Sequence, residues 1–175
     1  MVERISIKKR EPEPREQIYD FMRNSDNETI FRKARGTIVV KGKDTPWEQN
    51  KQGLIHFLLW EGMWGDVGTP GWRLFIQDIK KQSGRHTHQG GLAIYVLEGK
   101  GYSVVDGQRY DWEEDDLILL PIKPDGCEHQ HFNLSPSGSA YWMAFIYMPM
   151  WEQAGVEFTQ GVEHPDWVKV GGGKK

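Results

Sequence analysis

Four of the six histidines in this chain lie in two short motifs that could hold a metal ion. The motifs are His86-Thr87-His88 and His129-Gln130-His131. Side chains of an extended strand alternate between its two faces, so both imidazoles of each motif lie on one face. The second pair, from a strand distant in sequence, could supply further ligands to the same metal ion. Neutral imidazoles suit divalent iron, zinc, copper or nickel rather than magnesium or calcium.

The composition indicates one domain with a substantial core, because the chain has 175 residues. A net charge of −3 and a pI near 6.1 give no basis for nucleic-acid binding. No stretch is apolar enough for a membrane span, and the first residues lack the apolar stretch of a signal peptide. A single cysteine, Cys127, excludes an internal disulfide and fits a reducing cytoplasm. We therefore expect a cytoplasmic protein without nucleic-acid or membrane partners.

The chain divides into three predicted parts. Residues 1–36 form an N-terminal arm and helical extension, 37–150 the main domain, and 151–175 a C-terminal tail. Apolar spacing over residues 15–34 predicts one or two short helices, interrupted near 24–27, with Ser25 or Asp26 as a possible N-cap. Thr37 could start a strand, and residues 42–53 are predicted to be a polar loop.

From residue 54 onward the pattern predicts β-structure. Beside the strand of the first histidine motif, the predicted strands cover residues 54–60, 72–79, 92–97, 101–105, 108–112, 116–120, 127–133 and 139–148. Asp106-Gly107 indicates a tight hairpin, because a type I′ turn needs positive φ at both central residues. Short strands at spacings of about ten residues predict a β-sandwich or barrel.

Two segments resemble the paired motifs of the cupin family. Residues 84–101, GRHTHQGGLAIYVLEGKG, match the first motif, and residues 116–133, which contain PDGCEHQHFN, match the second. The resemblance implies an all-β fold, a cupin jelly-roll β-barrel (double-stranded β-helix), here with a short N-terminal helical extension. It also implies that His86, His88 and His129 are metal ligands.

One position departs from many cupins. They carry a glutamate ligand four residues after the second histidine, where this chain has Leu92, which cannot coordinate. An apolar residue there, with His129-Gln-His-Phe-Asn133 in the second motif, is similar to the gentisate, salicylate and 1-hydroxy-2-naphthoate dioxygenases. That resemblance implies Fe(II), with Zn, Ni, Cu or Mn as alternatives. It also implies that His131 lies near the substrate as a catalytic hydrogen-bond partner or proton acceptor.

Four further residues are candidates for substrate binding. Arg73 and Arg85 could hold a substrate carboxylate through a bidentate pair, although either could equally be an exposed charge. Gln89 follows the first ligand pair and could reach the metal or the substrate. Trp142 is a candidate for the pocket wall or the core.

Three functions remain open at this point. The first is an Fe(II) dioxygenase that takes dioxygen and a hydroxylated aromatic or diketone-like substrate. The second is a metal-dependent isomerase, decarboxylase or lyase acting through an enolate. The third is a non-enzymatic small-molecule-binding protein, since the fold alone does not decide. We expect a homodimer in each case, because small barrels often hide sheet edges by pairing.

Overall fold

The computed structural model describes residues 17–136 and 138–167, and it consists mainly of two antiparallel sheets packed face to face. The predicted all-β jelly-roll class with an N-terminal helix is confirmed. In the described part of the chain the strands are β1 Trp47–Asn50, β2 Gly53–Leu59, β3 Trp72–Ile79, β4 Arg85–His88, β5 Leu92–Glu98, β6 Lys100–Val105, β7 Gln108–Glu113, β8 Leu117–Leu120, β9 Cys127–Asn133, β10 Ala140–Tyr147 and β11 Thr159–Val162. The α-helices there are α1 Ile18–Arg35 and α2 Met148–Ala154, and short 3₁₀ turns cover Gly42–Asp44 and Glu61–Met63.

The strand order brings distant parts of the sequence together. The six-stranded sheet has the order β1-β2-β3-β10-β5-β8, and the five-stranded sheet has the order β11-β4-β9-β6-β7. Both histidine motifs therefore lie on adjacent strands of the five-stranded sheet. The inner face of the six-stranded sheet forms the opposite wall.

The predicted strands and the predicted hairpin are confirmed, with small shifts at their ends. Asp106 has φ 49° and Gly107 has φ 81°, as the tight turn between β6 and β7 requires. Along β5, alternate residues are buried, and Leu92, Ile94 and Val96 all point between the sheets. This alternation is what a strand with one face toward the core requires.

The N-terminal part differs from the prediction in three places. Helix α1 runs unbroken through residues 24–27, since polar residues cost only a few tenths of a kcal/mol each inside an exposed helix. Gln17 is its N-cap, so the expectation of Ser25 or Asp26 was wrong, and no residue of α1 is buried. Thr37 makes only an isolated bridge to Val67.

Two strands were missed by the sequence prediction. The polar segment 42–53 contains β1, which pairs with β2. The expected tail contains the end of α2 and all of β11, which pairs with β4 beside the first histidine motif. The remainder of the predicted arm and tail, residues 1–16 and 168–175, lies outside the described residues. Neither α1 nor α2 is long and apolar enough to cross a membrane.

Candidate metal centre

Three buried histidines converge between the sheets. On β4 and β9, His86 lies opposite His129 in the strand register, and His88 lies opposite Cys127. The ring centroids are 4.2 Å apart for His86 and His129, 4.6 Å for His88 and His129, and 5.2 Å for His86 and His88. One nitrogen from each ring lies within 4.8 Å of the other two. This arrangement suggests a metal-binding site, and within the described residues no carboxylate joins the cluster.

Burial keeps these rings neutral. It lowers the pKa of His86 to about 3, with a further contribution from His129, and it lowers the pKa of His129 to about 4. Burial, followed by the neighbouring histidines and Arg73, lowers the pKa of His88 to about 2. The pKa of His131 lies well below its ordinary value, again chiefly through burial. At neutral pH all four rings are therefore in the uncharged form that metal binding requires.

The surroundings of the ring nitrogens of His129 and His86 fit metal ligands. Nδ1 of His129 lies 3.0 Å from the carbonyl oxygen of Cys127, and an N–H there donates to this oxygen. The proton is then on Nδ1, and Nε2 has a free electron pair. Nδ1 of His86 is buried and makes no hydrogen bond of normal geometry within the described chain, although the backbone of Gly84 lies near enough to raise the pKa of this ring. A buried polar atom without a good partner is costly, and an ion bound by this ring would offset that cost.

His88 has a different hydrogen bond. The backbone N–H of Gly90 donates to its Nδ1 at 3.0 Å. The neutral ring then carries its proton on Nε2. For Nε2 to donate its electron pair to an ion, the proton must be on Nδ1 instead, and the hydrogen bond from Gly90 must then be lost.

A cavity of about 640 Å³ opens beside the histidines. Its far wall is a row of aromatic side chains on the six-stranded sheet side, here called the aromatic wall: Trp60, Phe57, Phe75 and Trp142. Successive ring centroids in this row lie 6.4, 6.0 and 5.9 Å apart, and the row ends 5.0 Å from the ring of His131. The cavity therefore places flat apolar surfaces next to the cluster of imidazoles.

Two of the predicted substrate-binding residues lie in the cavity wall. Trp142 is 3% exposed, and its indole N–H is buried with no hydrogen-bond partner in the part of the chain that is described. Arg73 lies further out and forms an ion pair with Glu61, in which the Nε–Oε2 distance is 3.2 Å. Burial is the largest single influence on the pKa of Glu61 and raises it, but the hydrogen bond from Arg73, a backbone hydrogen bond and the charge of Arg73 together outweigh burial, so the pKa is lowered overall.

The other two predicted substrate-binding residues, Arg85 and Gln89, do not line this cavity. Arg85 is on the opposite face of β4 from His86 and His88, and its Nε lies 3.7 Å from a carboxylate oxygen of Glu128. Strand alternation is the reason, since residues 85 and 86 must face opposite ways. Gln89 is buried, and its side-chain amide donates to the carbonyl oxygen of Trp151 at 2.6 Å, so it ties the chain after β4 to α2.

Two cavity residues come from the segment that was expected to be a tail. The ring of Trp151 on α2 lies 4.3 Å from that of His88. The ring of Phe158, just before β11, stacks on His86 at 5.4 Å. The signal available in the sequence was only that three aromatic residues, Trp151, Phe158 and Trp167, occur in this segment.

Residues 75–146 match the family model of the cupin domain. This match spans less than half of the chain and agrees with the resemblance of the two histidine motifs to the cupin family. No curated protein matches the chain.

Solved structures with some similarity to this chain include three bacterial proteins. A cupin-like protein from Thermotoga maritima is 15% identical, with 73% of this chain and 90% of that chain covered and a TM-score of 0.49. A predicted oxalate decarboxylase from Thermotoga maritima is 18% identical, with coverage of 63% and 99% and a TM-score of 0.47. The polyketide cyclase RemF from Streptomyces resistomycificus is 19% identical, with coverage of 62% and 78% and a TM-score of 0.48.

Proposed function

We propose that this protein is a metal-dependent enzyme, an Fe(II) dioxygenase that acts on a hydroxylated aromatic or diketone-like substrate. The observation that carries the proposal is the group of three buried, neutral histidines without a carboxylate, at the edge of a cavity. A bound divalent iron would supply open positions for a chelating substrate and for dioxygen, and a path for electron density between them. His86, His88 and His129 would hold it.

The chain's own residues would orient the substrate. The aromatic wall offers surfaces on which a flat substrate ring can pack. Aromatic rings attract one another in offset-stacked or edge-to-face arrangements. Arg73 would bind a carboxylate of the substrate in place of Glu61, since a guanidinium pairs with either carboxylate in the same geometry. This requires the 3₁₀ turn that carries Glu61 to release Arg73 when the substrate enters.

The C-terminal segment would limit the access of water to the histidines. Trp151 and Phe158 lie against the rings of His88 and His86, and Gln89 fixes the backbone at Trp151. Excluding water strengthens electrostatic interactions inside the site and suppresses side reactions.

The test begins with elemental analysis of the purified protein, followed by oxygen-electrode measurements with a panel of hydroxylated aromatic acids. We expect stoichiometric iron and oxygen uptake with at least one acid. His88→Ala should lose the metal, whereas His164→Ala, which changes a histidine outside the cavity lining, should keep it. A His88→Ala protein with a full metal complement would overturn the assignment of the ligands.

Other outcomes would redirect the functional proposal. Metal binding with turnover but no oxygen uptake would favour an isomerase, decarboxylase or lyase that uses the ion as a Lewis acid. Ligand binding with no turnover of any acid would favour a non-enzymatic binding protein.

A further inference from the structure

Three buried polar side chains are joined in a row by hydrogen bonds, and the row ends at His131. Ser103 on β6 pairs with His131 on β9, and its Oγ lies 2.7 Å from Nδ1 of His131. From the other side, the indole Nε1–H of Trp112 on β7 donates to the same Oγ at 3.0 Å. His131 is 1% exposed, Ser103 0% and Trp112 5%, so water does not compete for these groups.

The direction of each hydrogen bond follows from what each group can donate. An indole nitrogen only donates, so the Oγ of Ser103 accepts from Trp112. The single hydrogen of this hydroxyl then has Nδ1 of His131 as its acceptor among the described residues. If Nδ1 carried a proton and donated instead, the hydroxyl hydrogen would be buried without an acceptor, which is unfavourable. Nδ1 is therefore the acceptor.

We propose that Ser103 is a positioning residue that fixes His131 as the Nε2–H tautomer, so that His131 offers a hydrogen-bond donor to an oxygen atom of the substrate. The proposal deepens the proposed function and rests on it for the identity of the site, although the tautomer itself does not depend on the metal. It selects one of the two roles that the sequence left open for His131, since a ring with a proton on Nε2 cannot accept one there.

The position of His131 fits a donor to a bound ligand. His131 lines the cavity, and in the described chain its Nε2 makes no hydrogen bond to protein. An N–H at this place favours a substrate whose oxygen is a carbonyl, a phenolate or an enolate. Such oxygens accept hydrogen bonds, and they either carry negative charge or gain it during reaction. The expected substrates are therefore those with an oxygen that can accept a hydrogen bond from Nε2 of His131 on β9.

The packing around Trp112 preserves this arrangement. Gly101 lies opposite Trp112 in the strand register. A Cβ at Gly101 would overlap the indole ring and the carbonyl oxygen of Phe132. The glycine is therefore needed for the indole to lie across β6 and for its N–H to reach Ser103.

The tautomer can be measured directly by ¹⁵N NMR of the histidine rings, in the metal-free protein and in the protein loaded with Zn²⁺. His131→Gln identifies the resonances of His131 by their loss. We expect an unprotonated Nδ1 and a protonated Nε2 in the wild type. A proton on Nδ1 in the wild-type spectrum would overturn the proposal, and this result does not require any serine variant to fold.

Two serine variants provide a matched comparison. Ser103→Ala should shift both ring nitrogens of His131, because the hydroxyl donor is gone, and Ser103→Thr should restore the wild-type pattern. Ser83→Ala is the control, since Ser83 is also buried but accepts from the backbone N–H of His131 at 2.9 Å rather than from the ring. Equal spectra for Ser103→Ala and wild type would refute the role of Ser103. The expected tautomer in a protein that binds no metal would instead refute only the proposed function.

Discussion

Acidification should destabilise the metal-free protein strongly between pH 7 and pH 5. The four cavity histidines have native pKa values far below the value of about 6.5 for an unfolded chain. In this range the unfolded chain binds protons that the native chain does not, so the free energy of unfolding falls as the pH falls. The loss continues until the native pKa values, about 4 for His129 and lower for His86 and His88, are reached.

The size of the effect follows from linkage. Each histidine that protonates only in the unfolded state contributes a loss of about 1.8 kcal/mol between pH 7 and pH 5. Four such rings give an upper limit of about 7 kcal/mol, which is comparable to the whole stability of a typical domain, about 5–15 kcal/mol.

The assay is urea unfolding at pH 7, 6 and 5 in the presence of a chelator. His86→Gln removes one titrating ring and should reduce the loss by about 2 kcal/mol. Ser83→Ala changes a buried polar group that does not titrate, so it should lower the free energy of unfolding equally at each pH. A wild-type stability that does not change between pH 7 and pH 5, or a His86→Gln variant that loses as much as wild type, would refute the reasoning.

Four further outcomes are expected. Gly101→Ala should cost about 1–3 kcal/mol in urea unfolding, because the new methyl group overlaps the backbone of Phe132. Burial raises the pKa of the Cys127 thiol to about 11, so DTNB should label it slowly in the native protein and rapidly in urea; fast native labelling would contradict this. His131→Ala should keep its metal but lose about 10²–10³-fold in turnover with the acid identified by oxygen uptake. His131→Gln should lose less turnover, because its side-chain amide still donates a hydrogen bond. Equal losses in the two variants would argue against His131 as a hydrogen-bond donor. The homodimer remains a prediction, supported by exposed leucines such as Leu117 on the edge strand β8, and a sedimentation mass of one chain at micromolar concentration would contradict it.

Local patterns were sufficient for much of the fold. Short apolar segments between turn residues predicted strands such as β5, and Asp106-Gly107 predicted the hairpin between β6 and β7, because each signal lies within a few residues of the structure it determines. The alternation of side chains along a strand also determines where Arg85 points. Its position next to His86 on one strand already required it to face away from the cavity.

Residue type and strand periodicity were enough to place His86 and His88 on one face of a strand and to exclude Leu92 as a ligand. What surrounds these histidines depends on how the strands pair. Pairing of β4 with β9 brings His129 opposite His86, and pairing of β11 with β4 brings Phe158 onto His86 from a segment that has no local signal of structure. The physical reason is that these contacts join residues far apart in the chain. Periodicity describes only which face of a strand a side chain occupies, whereas strand order and packing determine what that face meets.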